Sequence, residues 1–358
     1  MSMVSSALRA ASLAVFAAGA VTAHAQSISP SSVNATLTVG ESLTIHKTIT
    51  LGAAGATTVD VFFLADNTGS MGGTISAAKN GATAILNALP ATYQFGVGRY
   101  FGDPSEGVAP TTAYQQLTAL TTDKTAVQTG INGWVASGGG DTPEGGYFAL
   151  QQVANNATWR PEAQRLIVMF GDATSHTETT TKAQAIAALD AANAKLIAFN
   201  NTSAGFGIDG RYTTEPAGTK QASDIIAAVG GSLTNSFLGV SNADFITAVT
   251  NQITSAASSV DLAFGSTFAG SGLSLAFTCT DALGCDDVAG GQSRTFDLTI
   301  KGLQPGTYNF NVFAQGVPAF EADTITVVAV PEPSTYALMI AGLAAIGVIA
   351  RRRRNTGA

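Results

Sequence analysis

The sequence predicts an α/β fold, a doubly wound and mostly parallel sheet inserted in a β-sandwich, and three observations carry that reading. Val59 to Ala65 (VDVFFLA) and Leu166 to Phe170 (LIVMF) are near-continuous apolar runs of strand length, as expected of strands covered on both faces. From Thr57 to about Ala257 such runs alternate with segments of helical spacing, the rhythm of repeated strand-helix units. The flanks differ: Val33 to Leu51 and Val260 to Val328 alternate Val, Leu, Phe, Thr and Ser with Gly-rich turns, the pattern of antiparallel sheet with one wet face. Neither flank makes a convincing domain alone, so the two read as halves of one sandwich interrupted by the α/β segment.

In chain order, Val59 to Ala65 opens the sheet. Thr74 to Leu89 places Ile75, Ala78, Ala82, Ile85, Leu86 and Leu89 at helical spacing, and Pro90 stops it. Tyr93 to Val97 reads as a strand, and Thr121 to Trp134 and Gly145 to Ala154 as helices. Strand 166–170 is followed by a helix over Lys182 to Asn193 and a strand over Lys195 to Phe199. Gln221 to Val229 and Asn242 to Ala257 close the segment as helices. The resulting boundaries are a first sandwich part over 26–57, the α/β domain over 58–257 and a second sandwich part over 258–329.

Both ends read as processing or targeting segments. Residues 1–25 hold one Arg, an apolar Ala/Val/Phe-rich stretch and Ala23-His24-Ala25 before Gln26, the pattern of a secretory signal peptide with its cleavage triplet. At the other end, Val330-Pro331-Glu332-Pro333-Ser334 precedes a nearly all-apolar run over 335–350 and then Arg351 to Arg354. That run predicts a short transmembrane helix, with the arginines kept cytoplasmic by the positive-inside rule.

The chain of 358 residues is 46% apolar, enough for real cores, and carries a formal net charge of −7. Without Arg9, Arg351 to Arg354 and Glu332, the segment between the ends keeps 12 basic and 23 acidic residues, a net of −11. Such a surface argues against nucleic acid or anionic lipid as partner and favours cation uptake. Cys279 and Cys285, the only cysteines, are spaced unlike a zinc ribbon. In an exported chain they read as one local disulfide, a free thiol pair being the alternative.

Three short polar loops concentrate the chemistry. Asp66-Asn67-Thr68-Gly69-Ser70 follows the first apolar strand, and Gly171-Asp172 follows the strand over 166–170. Between them lies Asp141-Thr142-Pro143-Glu144-Gly145-Gly146. In an open α/β sheet, ligand sites gather where loops leave the carboxyl ends of strands. Carboxylates and hydroxyls converging there make an all-oxygen donor set, suited to Mg²⁺, Mn²⁺ or Ca²⁺. Taken singly, the first loop is an ordinary strand-to-helix turn with an N-cap, the second a helix start with acids at the positive dipole end, and Asp172 another loop acid.

Together the loops resemble the metal-ion-dependent adhesion site of von Willebrand factor type A domains, and more narrowly that of integrin β subunits. Asp66-x-Thr68-x-Ser70 is similar to that family's Asp-x-Ser-x-Ser loop, and Asp-Thr-Pro-Glu-Gly-Gly to its Asp-x-Pro-Glu-Gly-Gly loop. Arg165 to His176 (RLIVMFGDATSH) resembles the third loop. The resemblance implies a metal held by Asp66, Thr68, Ser70, Glu144 and Asp172, with Thr142 as an alternative ligand. It implies a second, Ca²⁺ site from Asp103 in VGRYFGDP, Asp141, the Pro143 carbonyl and Glu144, although Gly139 stands where that family has an Asn. Gly72 and Gly73 replace the paired acids of a third, regulatory site, which is therefore not expected. The sandwich that hosts the α/β insertion is similar to the hybrid region of integrin β. The tail resembles the PEP-CTERM sorting signal of Gram-negative bacteria, which implies membrane retention, processing by an exosortase, and release to the cell surface or matrix.

The expected function is a divalent-cation-dependent adhesion module that grips an exopolysaccharide or an acidic protein. The alternative is a structural matrix protein whose cation only stiffens the fold. A secreted hydrolase ranks third. Gly-x-Ser-x-Gly needs Gly where Thr68 stands, and only His46 and His176 remain as general bases once residues 1–25 are removed. No enzymatic activity is therefore expected.

Overall fold

A computed structural model describes residues 26–138, 142–330 and 333–355. The expected signal peptide and Asp141 lie outside them. Strands β1 (Ser27–Ser29), β2 (Ser32–Thr38) and β3 (Ser42–Thr50) come first. The α/β segment then runs β4 (Val59–Asp66), α1 (Gly72–Ala88), β5 (Gln94–Tyr100), α2 (Pro110–Ala113), β6 (Tyr114–Thr121), α3 (Lys124–Asn132) and α4 (Gly146–Asn156). It continues with β7 (Gln164–Gly171), α5 (Lys182–Ala191), β8 (Ala194–Asn200), α6 (Gln221–Val229), β9 (Gly231–Thr234) and α7 (Asn242–Ala257). Seven strands follow: β10 (Ser259–Val260), β11 (Phe264–Ser266), β12 (Leu273–Cys279), β13 (Val288–Ala289), β14 (Ser293–Gly302), β15 (Gly306–Ala314) and β16 (Val317–Val328). Helix α8 (Pro333–Asn355) is last.

The central sheet has the order β6-β5-β4-β7-β8-β9, parallel throughout except for β6 at the edge. Every residue of β4 is buried, because alternate side chains feed two different cores. Val59, Val61, Phe63 and Ala65 pack with α1, α3 and α7, while Phe62 and Leu64 pack with α4, α5 and α6. This two-sided covering is why the strand reads as a continuous apolar run rather than an alternating one. Asp60 is the one charge inside the run. It is fully buried, and the Arg160 backbone N–H and side chain both donate to its carboxylate. The chain leaves β4 on one side toward β5 and returns on the other as β7, so the carboxyl end of β4 is the switch point where such sheets open a crevice.

The flanking segments form two further four-stranded sheets. One has the order β1-β3-β14-β12 and is antiparallel; the other is β11-β15-β16-β2, in which β2 runs parallel to β16. Leu37, Leu273, Leu298, Ile300, Phe310, Val312, Ile325 and Val327 fill the space between them, so strands from before and after the α/β segment share one core. Cys279 and Cys285 are joined by a disulfide, with Cα atoms 6.2 Å apart.

Two sequence expectations need correction. The helix placed over Thr121 to Trp134 begins at Lys124, capped by Asp123, because the preceding residues form edge strand β6. Its half-buried, Gln-containing sequence carries no strong strand signal. The larger correction concerns the membrane tether and the localisation built on it. Among the described residues no helix is long and apolar enough to cross a membrane. The apolar run within α8 spans 335–350, about 24 Å of helix against a hydrocarbon core of about 30 Å.

Candidate functional site

Strand β4 delivers Asp66 to the switch point, directly opposite Tyr100 of β5 in the pairing register. The backbone then turns sharply. Asn67 N–H donates to the Tyr100 carbonyl at 2.9 Å, and Thr68 N–H donates to Asp66 Oδ1 at 2.8 Å. A single helical turn over Gly69–Met71 leads into α1. Thr68 is buried and Ser70 exposed, with their hydroxyl oxygens 3.4 Å apart. Ser137 N–H donates to the Asn67 carbonyl and Gly69 N–H to the Gly138 carbonyl, which holds the segment before Gly139 against this first loop.

The second and third loops are stitched to each other. Glu144 N–H donates to the Thr174 carbonyl at 2.7 Å, and His176 N–H returns to the Glu144 carbonyl at 2.9 Å. Gly145 N–H donates to the Phe101 carbonyl after β5, and a Cβ at Gly145 would stand only 2.5 Å from the Gly102 oxygen. The Gly that follows Glu144 is thus required by close backbone approach, with φ at −82°. Glu144 is buried at 3% exposure, Asp172 is half-buried and Thr142 is exposed.

Electrostatics links Asp66, Glu144 and Asp172. Burial pushes the Asp66 carboxyl up to about 7, with Asp172 adding to the rise against the Thr68 hydrogen bonds. Tyr100, fully enclosed, is driven well above its ordinary value by burial and then by Asp66, Asp172 and Glu144 in turn. Its hydroxyl leans on Gly171, where a Cβ would lie 2.5 Å away. Asp66 Oδ2 and both side-chain polar atoms of Asn67 are buried without a hydrogen-bond partner. Such groups are costly to leave unmade and are normally satisfied by protein, water or an ion.

The first loop thus places oxygens of Asp66, Thr68 and Ser70 in one turn, with Glu144 and Asp172 on the adjoining loops. Among the described residues no group of three or more His, Cys, Asp or Glu side chains is gathered to hold a metal ion. Any cation here would depend on hydroxyl donors as well as carboxylates, unlike a carboxylate cage. Asp103 anchors its own loop: Oδ1 accepts from Ser105 N–H at 2.9 Å, Ser105 Oγ at 2.7 Å and the Thr179 hydroxyl, while Oδ2 is buried without a hydrogen-bond partner. The Pro143 ring is buried beside Glu144.

His176 is buried between two carboxylates, with Nε2 3.1 Å from Glu106 and Nδ1 3.1 Å from Glu178. His46 sits on the sandwich surface against Asp297. Among the described residues, neither pairs with a serine as a nucleophile–base couple would. Sequence reasoning missed Tyr100 and Asn67. Their burial follows from the β4–β5 register, which apolar patterning does not reveal.

Residues 101–204 match the family model described as the integrin beta chain VWA domain, and residues 329–354 match the PEP-CTERM protein-sorting motif. Among solved structures, a von Willebrand factor type A protein from Catenulispora acidiphila is 14% identical with a TM-score of 0.45, covering 84% of this chain and 72% of that one. The pilus adhesin SpaC from Lactobacillus rhamnosus GG, in its open conformation, is 11% identical with a TM-score of 0.37, covering 80% and 45%. Proximal thread matrix protein 1 from the mussel byssus, solved with a zinc-occupied MIDAS motif, is 12% identical with a TM-score of 0.42, covering 60% and 48%. The chain spans just under half the length of these last two proteins.

Proposed function

We propose, taking as premise the likeness to the integrin β-chain VWA domain and the sorting motif, that this is an exported binding module. It grips an acidic ligand group through a divalent cation at the carboxyl end of β4. The observation that carries the reading is the Asp66 carboxylate. It is wholly buried, one oxygen is without a hydrogen-bond partner, and two hydroxyl-bearing residues stand next to it in the same turn.

Asp66, Thr68, Ser70, Glu144 and Asp172 would hold the ion, with Thr142 as the alternative ligand on the second loop. Mg²⁺ or Mn²⁺ suits this small set of hydroxyls and carboxylates, and Ca²⁺ is the candidate for a second position built on Asp103, the Pro143 carbonyl and Glu144. Once bound, the ion supplies a Lewis-acidic position for an oxygen of the partner. The protein's own contribution is orientation. The Thr68 N–H fixes one Asp66 oxygen, and the backbone bonds between Glu144 and the 174–176 loop fix the second-loop carboxylate. An acidic protein or an acidic exopolysaccharide carries the group such a position would take, and the −11 charge of the segment between the ends disfavours nucleic acid. Exosortase is the processing partner implied by the tail.

Titration calorimetry of the metal-stripped protein with Mg²⁺, Mn²⁺ and Ca²⁺, followed by binding to acidic polysaccharide and protein arrays, tests the reading. Heat on cation addition that vanishes in Asp66→Ala, and array binding lost in chelator, are the expected results. Equal array binding in chelator removes the adhesive role and leaves a matrix protein with a cation-stiffened fold.

A further inference from the structure

Away from the loops, Lys47 of β3 meets Glu321 of β16 inside the sandwich, and Asp323, two residues along the same face of β16, lies against Glu321. The three are 1%, 0% and 2% exposed. β3 and β16 belong to different sheets, so the Lys47 side chain crosses the interior to place Nζ in direct contact with Glu321 Oε1. The surroundings are apolar. The cross-strand neighbour of Lys47 is Phe296, that of Glu321 is Val312 and that of Asp323 is Phe310, all buried. Asp323 Oδ1 accepts from the Val33 N–H at 2.8 Å, while Asp323 Oδ2 and Glu321 Oε2 meet no N–H or O–H donor and the two carboxyl groups lie against each other. Burial raises the Glu321 carboxyl to about 7, against the lowering pull of Lys47 and with a further push from Asp323.

An ion pair is a costly occupant of such a place, because desolvating two charges offsets most of their attraction, and a second acid adds to the cost. In a dry interior a neutral amine facing a neutral carboxylic acid competes with the charged pair. Those are the reactants of an amide. Holding them in contact supplies the entropic advantage of an intramolecular reaction, and an adjacent carboxylate supplies the proton relay.

We infer that Lys47 and Glu321 become joined by an intramolecular isopeptide bond, with Asp323 as the proton-transfer group. In the step, the lone pair of Lys47 Nζ attacks Glu321 Cδ, forming the N–C bond. Asp323 takes a proton from the nitrogen of the tetrahedral intermediate and returns it to the departing hydroxyl. The C–O bond breaks, one water leaves, and Asp323 ends as it began. No oxidant or cofactor is required. The product ties the segment before the α/β insertion to the segment after it, so the sandwich could not be pulled open strand by strand.

The test reads the covalent structure of the full chain. The protein is unfolded with reductant, digested, and its fragments are weighed and sequenced by mass spectrometry. The expected result is a branched fragment joining the stretch with Lys47 to the stretch with Glu321, lighter by one water than its two parts and absent from Lys47→Met. When chains recovered unfolded are refolded and sampled over time, Asp323→Asn is expected to form the branch at least about a hundredfold more slowly, with folding followed by circular dichroism. Lys47 and Glu321 found on separate unmodified fragments of the folded wild-type chain would overturn the bond. Equal rates in wild type and Asp323→Asn would overturn the role given to Asp323.

Discussion

Replacing Asp66 by Asn should stabilise the metal-free protein at pH 8 and destabilise the metal-loaded one. The Asp66 carboxyl lies at about 7 in the folded state against 3.8 when unperturbed, with burial as the main cause and Asp172 adding to it. Between about pH 4 and pH 7 the folded chain therefore binds a proton that the unfolded chain has released. Stability from this group is complete below pH 4 and is lost as pH rises through 7. Three pH units at about 1.4 kcal/mol each give a cost of order 4 kcal/mol above pH 7, and Asp66 is buried enough that solvent screening takes little from it. Asn keeps an oxygen for the Thr68 N–H and removes the charge, so in chelator it should recover a large part of that cost at pH 8 and almost none at pH 4. With cation at a thousandfold over its dissociation constant, the wild type gains about 4.1 kcal/mol that the variant forfeits, and the order of stabilities reverses. Urea unfolding of both proteins from pH 4 to 8, with and without metal, measures this directly. Any other group that titrates in this range contributes equally to both proteins and cancels in the difference. A wild-type-minus-variant difference that stays flat with pH in chelator would refute the reasoning.

Other outcomes follow from the same structure. Ser70→Ala, at an exposed position, should leave stability in chelator within about 0.5 kcal/mol of wild type while weakening cation binding, as read by calorimetry. Gly171→Ala would set a Cβ 2.5 Å from the Tyr100 hydroxyl and 2.6 Å from Ile208, and overpacking of about 1–3 kcal/mol should appear in urea unfolding. Phe245→Ala removes a ring stacked 5.6 Å from Phe170 and tilted against Phe237 at 5.3 Å, at a cost of about 3–5 kcal/mol in the same assay. Arg160→Leu strands the Asp60 carboxylate without its partner at the opposite end of β4, and unfolding should show a loss of about 3–5 kcal/mol at pH 7.

The parts of this fold that sequence patterning reveals are those whose burial is uniform. β4, β7 and β8 are enclosed on both faces and announce themselves as unbroken apolar runs; α6 and α7 match their expected limits, because their apolar faces and polar boundaries agree. β6 escaped because it is a half-buried edge strand, and β9 because it is only four residues long. The first and third loops were legible as polar residues at strand ends, and the second as a helix start. The enclosure of Tyr100 was not, since it depends on which residue of β5 lies beside Asp66. Lys47 was legible in principle: it shares the inward face of β3 with Ile45 and Ile49, where alternation demands an apolar residue. The apolar tail misled about length, because hydropathy registers composition more readily than the distance a helix must span.

The division of the sandwich between the two flanks also dictates an order of assembly. β3 finds its partner in β14, with Thr44 bonded to Thr299 across 255 positions, and Val33 donates to Asp323 across 290. A chain delivered from its amino end exposes β2 and the β14-facing edge of β3 long before β16 or β14 exists. Meanwhile the central sheet, whose strands pair over shorter spans, can complete itself. The early strands must wait as bare edges, which is the condition under which strands recruit neighbours from other chains. Their outward positions carry Ser, Thr and His rather than large apolar side chains, a composition that keeps a waiting edge soluble. Closure of the sandwich is thus the final event of folding, and it occurs only when the far end of the chain arrives.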